Sequence, residues 1–235
     1  MLVHQYITYC VHVTFKALIW AYATNRIGMY LGLFVDNNLS WDIHCDKLCR
    51  QISGKIAVLR RMRHFVKPHV LKLIYERTVQ PEMDYACSIW CHTYDKNIEK
   101  LQRAQNYAAR IITGNFDYIN WRSITILRLL KWMTIKERCN YFSAMMMYKA
   151  LNGLTPEYLS DTIVLAGEAH DRETRLTDSF DVYVPGYNSA MLKRSFIYNG
   201  SVLWNSLPLD IKNSVNIHTF KRNYKGKIID PLFNG

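Results

Sequence analysis

Two cysteine pairs are the sharpest candidates for chemistry in this chain. Cys45-x3-Cys49 and Cys87-x3-Cys91-His92 supply four thiols and an imidazole, the ligand types that zinc takes in a tetrahedron. A Cys-x3-Cys pair on a helix puts both sulfurs on one face. The spacing is nevertheless looser than a metal knuckle, and Cys87 stands in an apolar segment, where a free cysteine serves as a small hydrophobe. No metal is therefore expected. Acidic pairs come next. Asp42 with Asp46 and Glu82 with Asp84 have the residue type for two-metal phosphoryl chemistry, which needs two or three converging carboxylates. The first pair falls in the opening turns of a helix, where acids match the dipole, and the second flanks a proline. A phosphate-binding Gly-x-x-x-x-Gly-Lys loop, His-Glu-x-x-His and Gly-x-Ser-x-Gly are all absent from the sequence. No catalytic residues are assigned.

The basic residues say more. Lys55, Arg60, Arg61, Arg63, Lys67 and Lys72 crowd one helix end and the start of the next. Arg60 and Arg63 share a face. A second group, Lys193-Arg194 with Lys221-Arg222, Lys225 and Lys227, is opposed from residue 193 onward by Asp210 and Asp230 alone. Phosphate contacts need only Lys and Arg at about the phosphate spacing, so nucleic-acid binding is assigned to Lys55, Arg60, Arg63, Lys67, Lys72, Arg103, Lys193, Arg194, Lys221 and Arg222. Trp41, Trp90, Trp132 and Trp204 stand beside apolar neighbours and are expected to anchor the core rather than stack on bases.

Helices must carry these residues. Ser40 suits an N-cap. Leu48, Ile52, Ile56, Leu59 and Met62 then follow at spacings of four, four, three and three, one face of a long helix. Pro68 opens a second helix with Leu71, Ile74 and Tyr75, and Pro81 breaks the pattern. Asp95 is placed to cap a third, with Ile98, Leu101, Gln105, Ala108 and Ile112 inward and Gly114 just past its end. Thr134-Ile-Lys-Glu137 is a capping box ahead of the stripe Ile135, Cys139, Phe142 and Met146, which Asn152-Gly153 stops. Tyr30-Leu-Gly-Leu-Phe-Val-Asp36 reads as a strand closed by Asn37-Asn38, and Phe180–Val184 as another. A last helix is expected from about Ile217 to Ile228. The fold class is mainly α, with minor β near 29–36 and 180–198 and an irregular insert at 161–192.

Composition agrees with a folded, nucleic-acid-directed protein. Hydrophobic residues make up 49% of 235 and the net charge is +11, with a pI near 9.4. That is apolar matter enough for a core and a charge suited to polyanions. Six cysteines occur without a secretory signal, and the apolar stretch from Val11 to Ala23, broken by His12 and Lys16, is too short to span a bilayer. An intracellular protein, cytoplasmic or nuclear and without a membrane partner, is expected.

An ordered series of short motifs then resembles one family. It begins with Tyr30-Leu-Gly-Leu-Phe-Val-Asp-Asn-Asn-Leu-Ser-Trp41 and His44. It passes through Leu73-Ile-Tyr75, Gln80-Pro81, Asp84-Tyr85, Ile89-Trp90 and Leu101-Gln-Arg-Ala-Gln-Asn-Tyr-Ala-Ala-Arg-Ile-Ile-Thr-Gly114. Met147-Tyr-Lys149, Asn152-Gly-Leu-Thr-Pro156, Arg194-Ser195, Gly200-Ser-Val-Leu-Trp-Asn-Ser-Leu-Pro208 and Phe220-Lys221 complete it. This order resembles the C-terminal portion of non-LTR retrotransposon reverse transcriptases of the LINE, jockey and CR1-like kind, over residues 30–228.

The resemblance implies a primer-grip-like segment at Tyr30, Leu31 and Gly32, thumb-like helices over 29–115 and a post-polymerase helical region over 116–235. Residues 1–28 match nothing in that family and are expected to be unrelated sequence. The family's two Mg²⁺ ions are held by an Ala-Asp-Asp turn and an earlier Asp, all upstream of the Tyr-Leu-Gly segment. The residues before Tyr30 here contain no Asp. The expectation is a truncated remnant that binds RNA or an RNA/DNA duplex and is not an enzyme by itself. A helical protein–protein scaffold and a zinc-bearing module are the alternatives.

Overall fold

The structure, a computed structural model, describes residues 27–167, 180–186 and 189–230. Most of the unassigned N-terminal stretch, and residues 168–179 and 187–188 of the insert, lie outside the described residues. In chain order the elements are β1 (Gly28–Tyr30), β2 (Leu33–Val35), α1 (Asp42–Met62), α2 (Pro68–Thr78), α3 (Gln80–Asp84), α4 (Cys87–Trp90), α5 (Asp95–Thr113), α6 (Ser123–Leu129), α7 (Ile135–Leu151), α8 (Glu157–Ser160), α9 (Ala190–Lys193), α10 (Phe196–Asn205), α11 (Leu209–Lys212) and α12 (Ile217–Tyr224), the last running into a π-helical turn at Lys225–Ile229. The protein is mainly α, as its sequence periodicity implies. Among the described residues no helix is long and apolar enough to cross a membrane.

The chain divides into two compact units. One holds the described residues of Ala17–Cys87 with Thr93–Arg138, the other Ser88–His92 with the described residues from Cys139 onward. In the first, the stripe read from sequence is the stripe that is buried: Leu48, Ile52, Ile56 and Leu59 of α1, Leu71 and Tyr75 of α2, and Ile98, Leu101, Ala108 and Ile112 of α5. Each fully buried Leu or Ile among them contributes about 1.5–3 kcal/mol. Gln105 is buried among them because its amide donates to the Met133 carbonyl (3.0 Å) while its carbonyl accepts from Gln102 (2.8 Å). Trp132 stacks on Tyr75, ring centroids 4.2 Å apart, and its indole N–H donates to Glu76 at 2.9 Å. The capping box forms, Thr134 N–H to Glu137 Oε2 at 2.8 Å and Glu137 N–H to Thr134 Oγ1 at 3.2 Å. Gly114 takes φ 72 just past α5, the left-handed cap that glycine adopts most cheaply.

In the second unit α7, α10 and α12 enclose an aromatic core. Phe220 lies 4.6 Å from Tyr148 and 6.1 Å from both Trp204 and Tyr224, by ring centroids. The polar tips are satisfied: Trp204 Nε1 donates to the Phe180 carbonyl (2.8 Å) and Tyr148 Oη to the Ser214 carbonyl (2.6 Å).

Several local expectations are corrected. The run from Tyr30 to Asp36 is an antiparallel hairpin, with Tyr30 opposite Leu33, rather than one strand. Leu31 and Gly32 both have positive φ, 48 and 82, the requirement of the two-residue turn whose twist suits a hairpin. The N-cap of α1 is Trp41 at φ 60, not Ser40. The Asp36 carboxylate gathers the backbone N–H groups of Asn38, Ser40 and Trp41 at 2.9–3.1 Å, which turns the chain one residue later than the capping rule places it. Tyr94, not Asp95, is the N-cap of α5. The break expected at Pro81 is present, α2 ending at Thr78, and Pro81 itself sits in the first turn of α3, where its missing N–H costs nothing. The β expected at 180–198 reduces to one bridge, Leu165 to Val182. Asn205 takes the place of a partner strand, bonding both the N–H and the carbonyl of Val182 at 2.9 Å, while 190–193 and 196–205 are helical.

Candidate nucleic-acid interface

Helices α1 and α5 run side by side in the same direction, and their two ends differ. At the N-terminal end two acids of α1 are paired with two lysines of α5. Lys96 reaches Asp42 at 2.7 Å, Lys100 reaches Asp46 at 2.6 Å, and the fully buried Asn97 donates to Asp42 at 2.7 Å and to Thr93 at 2.8 Å. Slight burial opposes the charge on Asp42, but these bonds outweigh it and hold the carboxyl below its ordinary range. His44, buried beside them, is pushed down to about 4 by desolvation, and the Cys45 thiol up to about 12 for the same reason.

The C-terminal end is different. Arg60, Arg61 and Lys67 are exposed and Arg63 is half-buried. Among the described residues none of the four is drawn into an ion pair. Arg60 and Arg61 occupy the last turn of α1, where cations match the dipole. Arg63 lies over the ring of Phe116, 5.0 Å from its centroid, so the ends of α1 and α5 meet there. Phe116 belongs to a loop that Arg110 holds from beneath. The buried Arg110 guanidinium donates to the carbonyls of Asn115 (3.4 Å), Asp117 (3.2 Å) and Trp121 (2.8 Å), and Tyr118 covers it at 4.0 Å.

The other residues assigned from sequence are distributed as follows. Lys55 bonds Glu82 (2.6 Å) and the Thr78 carbonyl (2.9 Å), and Lys72 pairs with Glu76 at 3.7 Å, so both have local structural work. Arg103 is exposed, its Nε donating to the Glu99 carbonyl at 3.3 Å. In the second unit Lys193 and Arg222 are exposed, and Arg194 and Lys221 are half-buried. Lys149, itself desolvated, has its pKa lowered further by the charge of Lys221. The Tyr30-Leu31-Gly32 turn is pinned by Tyr85, whose hydroxyl donates to the Leu31 carbonyl at 2.7 Å.

The acids once weighed as metal ligands are engaged elsewhere. Asp42 and Asp46 join α1 to α5, Glu82 binds Lys55, and Asp84 forms a two-pronged pair with Arg138. The four tryptophans are all buried. Of the cysteines, Cys91 and Cys139 in the second unit bring their sulfurs within 4.8 Å. Ser143 Oγ lies 3.6 Å from the Cys91 sulfur and 3.3 Å from His92 Nε2. The residues that sequence reasoning passed over are Phe65, Phe116, Tyr118 and Trp121. Their signal was available in the alternation Asn115-Phe-Asp-Tyr-Ile-Asn-Trp121 between a helix-ending glycine and the next helix.

No protein-family profile matches this chain, and no solved structure does. A stretch of 118 residues, 49% of the chain, is 30% identical to a curated protein of Drosophila melanogaster described as "Probable RNA-directed DNA polymerase from transposon X-element", and the match spans 13% of that protein's length. The chain is thus related in sequence to a transposon reverse transcriptase, a similarity that agrees with the motif series.

Proposed function

We propose that this chain is the C-terminal, thumb-like part of a non-LTR retrotransposon reverse transcriptase and that it binds RNA or a primer–template duplex through its basic helix faces. The observation that carries this reading is the corner where α1 and α2 meet. Arg60, Arg61, Arg63 and Lys67 are concentrated there without carboxylate partners among the described residues, and no acidic residue occurs between Arg60 and Val70. Unpaired surface cations on a rigid helix end are what phosphate contacts require. The similarity to a transposon polymerase supports nucleic acid as the polyanion.

The chain by itself does not polymerise and holds no metal on this reading. Asp42, Asp46, Glu82 and Asp84 each carry a structural ion pair, which supports assigning them to the fold. Binding is tested by titrating a primer–template duplex and an RNA strand at several salt concentrations. Each neutralised phosphate adds about 0.9 to the log–log slope on duplex DNA, and about 0.7 on single strands, so four cations give an expected slope of about 3.6 on duplex and about 2.8 on a single strand. Salt-independent association, or none, would remove the reading in favour of a protein-binding scaffold. Template-dependent, Mg²⁺-dependent incorporation of nucleotides by the purified chain would overturn its non-catalytic part.

A further inference from the structure

We infer that the corner of the first unit is a stacking platform for unpaired bases, a site that takes single-stranded nucleic acid in preference to duplex; this rests on the nucleic-acid reading above and specifies its ligand. Four exposed rings and one aliphatic side chain carry it. Phe65 is 89% exposed, Tyr118 65%, Trp121 39% and Phe116 36%, with Ile119 at 91%. Phe65 follows Arg63 by two residues at the end of α1, and Arg63 covers Phe116. The corner and the loop therefore form one surface.

The loop is built to keep its rings outward. Arg110 occupies its interior with three carbonyl contacts. Asp117 folds the tip, accepting from the N–H groups of Ile119 and Asn120 at 3.0 Å and from the Asn120 amide at 2.7 Å. Phe116 and Tyr118 each keep an arginine against one face, and the rings remain exposed on the other side together with Trp121 and Ile119.

Charge selects the occupant. The segments 60–67 and 115–122 that form it carry Arg60, Arg61, Arg63, Lys67 and Arg122 against one acid, Asp117, which is engaged within the loop. Exposed rings interleaved with cations match a strand whose bases are free to stack while its phosphates meet Arg and Lys. Paired bases in a duplex present no face to these rings, so a duplex engages the cations alone.

The test compares three probes: a mixed-sequence single strand of about 16 nucleotides, the same strand with abasic sites, and a blunt duplex. The base-bearing strand is expected to bind about tenfold more tightly than the abasic one and to quench the emission of Trp121. Phe65→Ala and Trp121→Ala should each remove at least about fivefold of single-strand affinity. Duplex affinity and the salt slope should stay unchanged. Phe65 is so exposed that its loss should not disturb folding, which circular dichroism checks. Equal affinity for abasic and base-bearing strands would overturn the platform. So would ring variants that bind the single strand as wild type does, the result expected if the rings serve a protein or lipid contact. In either case duplex binding with a wild-type salt slope leaves the phosphate-binding reading standing. Failure of all three probes to bind would remove both.

Discussion

The two ends of the α1–α5 pair are built from the same two helices and spend their charges in opposite ways. At the N-terminal end Lys96 and Lys100 close on Asp42 and Asp46, and Asn97 is buried between them. At the C-terminal end Arg60, Arg61 and Lys67 are exposed, Arg63 lies half-buried over Phe116, and the buried Arg110 holds up a loop. One end uses polar groups to join helices, the other leaves them available. Binding is proposed for the end whose cations have no acid beside them in sequence.

The largest effect expected from breaking this contrast is at Arg110. Arg110→Ala strips donors from the carbonyls of Asn115, Asp117 and Trp121, and bonds to a charged group contribute about 1.5–3 kcal/mol each. Urea denaturation should show a loss of about 3 kcal/mol or more. Arg110→Lys should recover little, since an ammonium lacks the planar fork. Full stability in the alanine variant would show that the loop is not held from beneath.

At the closed end, pH gives the next effect. The pKa of His44 is depressed to about 4 from 6.5, so between these values the unfolded chain binds the proton that the folded chain refuses. The sign follows: the contribution is complete above about pH 6.5 and is lost as pH falls toward 4, by up to about 3 kcal/mol. His44→Asn should flatten the fall in stability across that window. An identical pH profile in the variant would mean that other groups account for the acid sensitivity.

Asn97→Ala should cost about 2 kcal/mol, because it empties a fully buried position and leaves the buried Thr93 hydroxyl and Asp42 with fewer partners. Lys96→Ala or Lys100→Ala should cost less, as exposed ion pairs do. Thermal melts of the three variants rank these contributions. A lysine variant as damaging as Asn97→Ala would mean that the exposed pairs, not the buried amide, hold the closed end.

Much of this architecture was legible in the residue pattern, and the exceptions share a cause. Spacings of three and four exposed the buried faces of α1 and α5, and Thr134 with Glu137 announced the start of α7, because helix signals are local. The hairpin at residues 28–35 was read as one strand because Leu31, at positive φ, is not a turn residue by type. Val182 forms only a bridge to Leu165 because its other edge is taken by a side chain, Asn205, 23 residues away. At the candidate site the cluster of cations was visible, but which of them have other work was not. Lys55 lies 27 residues from Glu82 in sequence, and only folding brings them together. The rings were missed for a related reason. A Trp near a helix end looks alike whether buried, as Trp132 is, or exposed, as Trp121 is, and exposure depends on what Arg110 does underneath.

The contrast between the two ends is tested most directly by the salt dependence of binding in two double variants. Affinity for a primer–template duplex would be measured at several salt concentrations for wild type, Arg60→Ala with Arg63→Ala, and Lys96→Ala with Lys100→Ala. The arginine variant should lower the log–log slope by roughly two, one for each lost phosphate contact. The loss should be alike for unrelated sequences, since phosphates carry no base information. The lysine variant should keep the wild-type slope, its charges being spent within the fold. An unchanged slope in the arginine variant, or an equal drop in both, would contradict the assignment of binding to the open end.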